Sequence, residues 1–209
     1  MADEIPFTLD GRAVTARPGE TIWQVAKRHG TEIPHLCLSG EPDFHPDGNC
    51  RICVVEVVGR RNLAASCITK PQPGMQVMTN SGKAANARRT VMELLLAEAE
   101  VAPDSECARW AKAMGVTATR YPRKEREGTV DRSHPGIDVD LSACIHCLRC
   151  VQACREFVLH DVIGMSGRDG HSKIVFDFDA PMGESTCASC GACAQTCPTG
   201  AISFRRTAA

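Results

Sequence analysis

Apolar and polar residues alternate through FTLDGRAVTA on either side of Asp10-Gly11, a turn dipeptide, and the pattern predicts a β-hairpin. The period then lengthens. In GETIWQVAKRHG, Ile22, Val25 and Ala26 share one face, Thr21 stands at the N-cap position and Gly30 at the stop, so a short amphipathic helix is expected. CVVEVVGRRNLAASC reads as two strands around a turn at Gly59, and GMQVMTN as a further strand. Next comes AANARRTVMELLLAEAE, a helix with Val91, Leu94 and Leu95 on one stripe, followed by a helical piece in VAPDSECARWAKAMGV. TRYPRKEREGTVDRSHPGID is polar and punctuated by Pro and Gly, as a solvated linker would be, with a docking strip for a partner as the alternative. DVIGMSGRDGHSKIVFDFDAPMGEST predicts two strands joined by a Gly-rich turn.

Composition sharpens this α+β picture at one point. Aromatic residues make up only 4% of the chain, poor material for one large core, while cysteine occurs 13 times in 209 residues. The N-terminal MADEIPFTLD is acidic and has no apolar stretch of a secretory signal, and no run approaches the ~18 apolar residues of a membrane span. A cytoplasmic chain in a reducing compartment is expected, where thiols serve metals rather than disulfides. A formal net charge of −1 suggests neither nucleic acid nor a membrane surface as partner.

The cysteines fall into three groups of four with one left over. Cys37, Cys50, Cys53 and Cys67 are spaced C-x12-C-x2-C-x13-C. Cys144, Cys147, Cys150 and Cys154 form a second group, and Cys187, Cys190, Cys193 and Cys197 repeat its spacing. Cys107 stands alone and reads as a small buried hydrophobe. Structural zinc uses pairs of C-x2-C, so the triple run has the wrong ligand count for it. Three cysteines at i, i+3 and i+6 cannot share a helical face, but a tight loop can wrap them round a cube of iron and sulfide. The fourth then starts a helix leading away, towards the neighbouring cluster, as in two-cluster ferredoxins. The repeat is thereby explained: Cys144, Cys147, Cys150 and Cys197 are assigned to one 4Fe–4S cluster, and Cys154, Cys187, Cys190 and Cys193 to the other. Pro198 follows the last cysteine and turns the chain out of the loop; Arg155 stands in the first copy.

The first group, in IPHLC…GNCRICVVEV…ASC, departs from the plant-type spacing. It resembles the ferredoxin-like domain of respiratory complex I and of related NAD-linked hydrogenases and formate dehydrogenases. The resemblance implies a β-grasp fold and a 2Fe–2S cluster on Cys37, Cys50, Cys53 and Cys67. Gly48 fits a loop whose backbone approaches the cluster, and His35 reads as a loop or packing residue. His146, inside a cluster loop, is expected to tune that cluster's potential through its environment. In these families the next domain binds an additional cluster through one His and three Cys; here only Cys107 is left of that pattern, and a cluster-free helical spacer is expected. The implied organisation is a 2Fe–2S domain at 1–80, a helical spacer at 81–120, a linker at 121–136 and a domain with two 4Fe–4S clusters at 137–209.

The sequence contains no Gly-rich dinucleotide fingerprint after a strand, no P-loop and no Ser/His/Asp set in recognisable context. No catalytic residue is therefore assigned. The wording between the two C-terminal runs is most similar to the iron–sulfur region of molybdenum- or tungsten-dependent, NAD-linked formate dehydrogenases. What the resemblance implies is an electron relay between a molybdopterin subunit acting on formate or CO2 and a flavin (FMN) subunit acting on NAD. A diaphorase subunit of an NAD-linked hydrogenase is the nearest alternative, and a cluster-bearing assembly or sensory protein the more distant one.

Overall fold

The computed structural model describes residues 4–39, 44–123, 130–168 and 171–205. They divide into two compact units, one formed by the residues up to 38 together with 45–92, the other by 39–44 together with those from 93 onward.

In the first unit β1 (Ile5–Leu9) and β2 (Arg12–Ala16) pair antiparallel from Ile5–Ala16 to Leu9–Arg12. Asp10 and Gly11 turn the hairpin with φ of 49° and 79°, the primed geometry that matches strand twist. The Asp10 carboxylate accepts from the Thr79 backbone N–H and hydroxyl, both at 2.6 Å, and so ties the turn to the end of β5 (Gln76–Met78). With β3 (Val54–Val57) and β4 (Ala64–Ala65) the sheet order is β2-β1-β5-β3-β4, with β1 and β5 parallel and the other pairs antiparallel. Helix α1 (Ile22–Arg28) begins at a full capping box between Thr21 and Gln24. It buries Ile22, Val25 and Ala26 as expected, and Trp23 as well. They pack with Phe7, Leu9, Val55, Val57 and Val77, and with Cys53 and Cys67, in one core. This is a β-grasp domain.

Helix α2 (Gly82–Glu98) forms where expected but presents a different face. Leu94 is 43% exposed, and the buried positions are Ala84, Arg88, Met92, Glu93 and Ala97. Leucine content therefore misleads here, because polar anchors decide the helix phase. The Arg88 guanidinium donates to the carbonyls of Val54 at 2.9 Å and Thr79 at 2.5 Å.

In the second unit, α3 (Glu106–Ala113) is capped by Ser105, whose hydroxyl accepts from Ala108 N–H. Two antiparallel strand pairs follow: β6 (Ile137–Val139) with β9 (Ile202–Phe204), and β7 (Ile163–Ser166) with β8 (Lys173–Phe176). The second pair is the hairpin expected between the cysteine runs; Asp169 and Gly170 of its turn lie outside the described residues. Helices α4 (Arg149–Gln152) and α5 (Ala192–Thr196) complete the unit. Here the fourth cysteine does not start a helix, contrary to expectation. Both helices begin one residue before the third cysteine, after a left-handed residue, Leu148 in one copy and Gly191 in the other. Cys154 lies in a π-helical turn (Ala153–Phe157) that continues α4, and Cys197 caps the end of α5. The core gathers Ile137, Val162, Ile163, Ile174, Phe176 and Met182 round Cys144, Cys150, Cys154 and Cys193.

Residues 130–136, expected as part of a solvated linker, are docked within this unit. Asp131 bridges Val139 through two backbone hydrogen bonds, and its carboxylate accepts from the N–H groups of Ser133 and Met182. Ser133 Oγ accepts from Gly183 N–H at 2.7 Å. Arg205 binds the other side, donating to Asp138 and to the carbonyls of Arg132 and His134. Residues 124–129 of the expected linker lie outside the described residues.

Candidate cluster-binding sites

The first site is built on the rim of the β-grasp sheet. Cys53 immediately precedes β3, and Cys67 follows β4. Ser66 secures both, because its hydroxyl donates to the Cys53 carbonyl at 2.8 Å. The start of α1 docks on the same loop: Ile22 N–H donates to the Thr69 carbonyl and Trp23 N–H to the Ser66 carbonyl. Cys37 arrives on a loop held by the Ile33 carbonyl, which accepts from the Trp23 indole and from His35 Nδ1, both at 3.1 Å. His35 also packs edge-on against Trp23 with ring centroids 4.7 Å apart, the packing role expected of it. The loop round Cys50 turns through left-handed Gly48 before it and Arg51 after it, with φ of 69° and 55°. A Cβ on Gly48 would meet Ile68 at 2.9 Å, so its near neighbour is this side chain.

All four thiols of the site are buried and interact directly: Cys37 hydrogen-bonds to Cys50 and Cys67, and Cys53 to Cys67. Hydrogen bonds from Cys50 and Cys67 favour the thiolate of Cys37, pulling its pKa down to about 2, and a bond from Cys67 brings Cys53 to about 7. Cys50 and Cys67 are pushed up as the donating partners. Four buried thiols in mutual hydrogen-bond contact form, once deprotonated, an anionic set suited to a cationic iron centre.

The second and third groups form a repeat offset by 43 residues, visible in the backbone as well as the spacing. His146 and Ser189 are both left-handed (φ 53° and 58°), as are Leu148 and Gly191 (φ 65° and 77°). In each loop the backbone N–H two residues after the first cysteine points at its sulfur: His146 to Cys144 Sγ and Ser189 to Cys187 Sγ, both 3.4 Å. Cys144, Cys147, Cys150 and Cys197, but not Cys154, border one cavity with Leu141, Ile145 and Ile174, enclosing about 350 Å3 of space partly open to solvent. Burial raises the Cys147 and Cys150 thiols, and the neighbouring charge of Cys197 adds to it in both. Cys193 is raised to about 12 by burial and then by Cys187, Cys190 and Cys154. Cys197 thus borders the cavity of the first run, Cys154 is among the neighbours of Cys193, and Cys193 is among those of Cys150. Among the described residues no three His, Cys, Asp or Glu side chains are arranged to hold a single metal ion. A polynuclear group suits thiols spread round a cavity better than one zinc ion with sulfur at about 2.3 Å does.

Residues 2–82 match a family described as a 2Fe–2S iron–sulfur cluster binding domain, and residues 143–201 a 4Fe–4S dicluster domain. The NADP-reducing hydrogenase subunit HndD of Solidesulfovibrio fructosivorans is 34% identical over 95% of this chain and 36% of its own length. A putative formate dehydrogenase of Staphylococcus aureus strain MRSA252 is 29% identical over 97% of this chain and 21% of its own. The chain thus spans about a third and a fifth of these relatives. Among solved structures, an NAD+-reducing [NiFe]-hydrogenase in the H2-reduced state contains a chain 33% identical, with a TM-score of 0.87 over 96% of this chain and 87% of that one.

The chain belongs to the iron–sulfur family shared by NAD(P)-reducing hydrogenases and putative formate dehydrogenases. Cys107 belongs to none of the three sequence groups and sits in helix α3. It is fully buried, its N–H donates to the Pro198 carbonyl at 2.8 Å, and burial pushes its thiol up to about 12. Neighbouring Glu106 forms a two-pronged ion pair with Arg149, at 2.7 and 3.1 Å. Sequence reasoning missed several residues that hold the iron–sulfur loops: Trp23, Ser66, Arg149, His134 and Arg205. His134 and Arg205 act across 55 and 67 residues of chain respectively, so no local pattern marks them. Among the described residues no helix is long and apolar enough to cross a membrane.

Proposed function

We propose that this chain is an electron-relay subunit of a multisubunit NAD-linked oxidoreductase, of formate dehydrogenase type. One 2Fe–2S cluster sits on Cys37, Cys50, Cys53 and Cys67. Two 4Fe–4S clusters take Cys144, Cys147, Cys150 with Cys197, and Cys187, Cys190, Cys193 with Cys154. The observation that carries this reading is the convergence of thiols into three neighbourhoods of four, two of them mixed between the runs. Bound there, the clusters supply one-electron storage, and the protein supplies position and electrostatics. Cys147, Cys150 and Cys193 keep their protons in the absence of iron, so loading releases protons at these sites. The N–H groups of His146 and Ser189 then stabilise negative charge on the sulfurs they face.

The domain boundaries that accompany this reading are 1–80, 81–120, 121–136 and 137–209, with the second segment free of a cluster. The use of cysteine for metal rather than disulfides accompanies a reducing, cytoplasmic setting in this reading. Molybdopterin and FMN belong to partner subunits, one acting on formate or CO2 and the other on NAD. A diaphorase subunit of an NAD-linked hydrogenase is the second reading, favoured by the identity of 33–34% to hydrogenase chains against 29% to the formate dehydrogenase relative.

Metal analysis of the native complex separates the two: molybdenum or tungsten supports the first, and nickel supports the second. NADH should reduce the clusters through a co-purifying flavin subunit; clusters that stay oxidised would mean a scaffold or sensor instead. The isolated, cluster-loaded chain should not oxidise formate, and formate oxidation by it would sink the relay reading.

A further inference from the structure

Among the histidines of the second unit, His134 is buried, with 6% of its surface exposed, and belongs to none of the cysteine runs. Its Nδ1 accepts from Gly136 N–H at 3.1 Å, so that nitrogen carries no proton. The ring proton therefore sits on Nε2, 2.9 Å from Ser189 Oγ, and His134 donates to the serine. Ser189 in turn points its backbone N–H at Cys187 Sγ. Two hydrogen bonds thus connect the docked segment to a sulfur of the third cysteine group.

The segment that carries His134 is held from both sides. Asp131 and Ser133 bind the backbone of Met182 and Gly183, and a Cβ on Gly183 would lie 2.4 Å from the Ser133 carbonyl oxygen. Arg205 holds the carbonyls of Arg132 and His134. A fixed donor matters because Ser189 is left-handed, a conformation unfavourable for a non-glycine residue. Serine at 189 is also exposed, so surrounding core does not hold it. The equivalent place in the other copy holds His146, which is partly buried. The third group is also the more open one, with Cys190 exposed and Cys187 half-buried.

We propose that His134 is a positioning residue for the cluster on Cys187, Cys190, Cys193 and Cys154: by holding Ser189 it keeps the Ser189 N–H on Cys187 Sγ and raises that cluster's reduction potential. The proposal rests on the ligand assignment given above. A reduced cluster carries one more negative charge, and an N–H aimed at its sulfur favours that state. Loss of the donor frees the serine, weakens the bond to sulfur and favours the oxidised state.

The test is a redox titration, followed by electron paramagnetic resonance, of the cluster-loaded protein in its complex. His134→Ala should lower one 4Fe–4S potential by about a fivefold to tenfold change in the reduction equilibrium, tenfold being 59 mV for one electron. The other two clusters should stay as they were. His134→Gln, which retains a donor at the reach of Nε2, should recover most of the shift. Ser189→Ala should lower the same potential, and adding His134→Ala to it should change little more. Cys187→Ser identifies the signal concerned, so the two ideas fail separately. If it spares the signal that His134→Ala moves, the ligand assignment is wrong. If His134→Ala and His134→Gln leave the Cys187-dependent potential unmoved, or shift all clusters alike, the positioning role is overturned. Should His134→Ala lose its iron, the Gln variant and Ser189→Ala decide by the same criterion.

Discussion

Arg149 and Glu106 form a two-pronged ion pair that joins helix α3 to the cysteine loop opening α4. Arg149 lies between Cys147 and Cys150, and its side chain is 4% exposed. It also donates to the Thr196 carbonyl, one residue before Cys197. Helix α3 is therefore a clamp on the loop next to it. Removing one partner of a buried pair strands a charge and costs about 3–5 kcal/mol. Glu106→Ala should lower thermal stability by that order and loosen the cluster on Cys147 and Cys150 before the 2Fe–2S cluster. Thermal unfolding monitored at iron–sulfur absorbance checks this; an unchanged midpoint would show that the pair is dispensable.

The ligand exchange between the two runs has its own test. Cys197→Ser should damage the cluster bound by Cys144, Cys147 and Cys150, whereas Cys154→Ser should damage the one bound by Cys187, Cys190 and Cys193. Spectra of each variant after anaerobic purification distinguish the two signals. A substitution that disturbed only its own run would contradict the crossed assignment.

Iron content tests the isolated cysteine. One 2Fe–2S and two 4Fe–4S clusters require about 10 iron atoms per chain. Cys107→Ser should leave that number and the spectra unchanged, whereas loss of about four irons would make Cys107 a ligand.

The same thiol predicts a pH dependence. Burial raises its folded pKa from 9.0 to about 12, so the folded state holds its proton where the unfolded state has lost it. Stability from this group is therefore flat below pH 9 and falls as pH rises from 9 towards 12. Cys107→Ala should flatten that alkaline decline in denaturant unfolding, and the native thiol should resist alkylation at neutral pH.

Arg88 is a buried cation of the first unit. Replacing it with Met removes the donors to Val54 and Thr79, leaving two carbonyls without them, at about 1–3 kcal/mol each. Chemical denaturation should show the loss while residues 37–67 still bind iron.

Local patterns were enough for the hairpin at Asp10-Gly11 and for the helix that Thr21 caps, because turn and cap are decided within four residues. The cysteine runs were legible for a similar reason: ligand spacing is written along the chain. The face of α2 was not, because Arg88 and Met92 outrank Leu94 only once Val54 and Thr79 stand beside them. Nor was the docking of residues 130–136, where Asp131 meets Met182 across 51 residues and Arg205 meets Asp138 across 67. Polar residues in such a stretch look solvated until their distant partners are known. His134 was hidden with them.

The left-handed residues of the two cysteine loops have a kinetic consequence. His146 and Ser189 occupy a conformation that side chains resist, and in it their N–H groups face Cys144 Sγ and Cys187 Sγ. Dipoles already aimed at the sulfurs need not rotate when charge appears there. With clusters bound as proposed, the surroundings of their sulfurs would then need little reorganisation for each electron, which favours transfer at a small driving force.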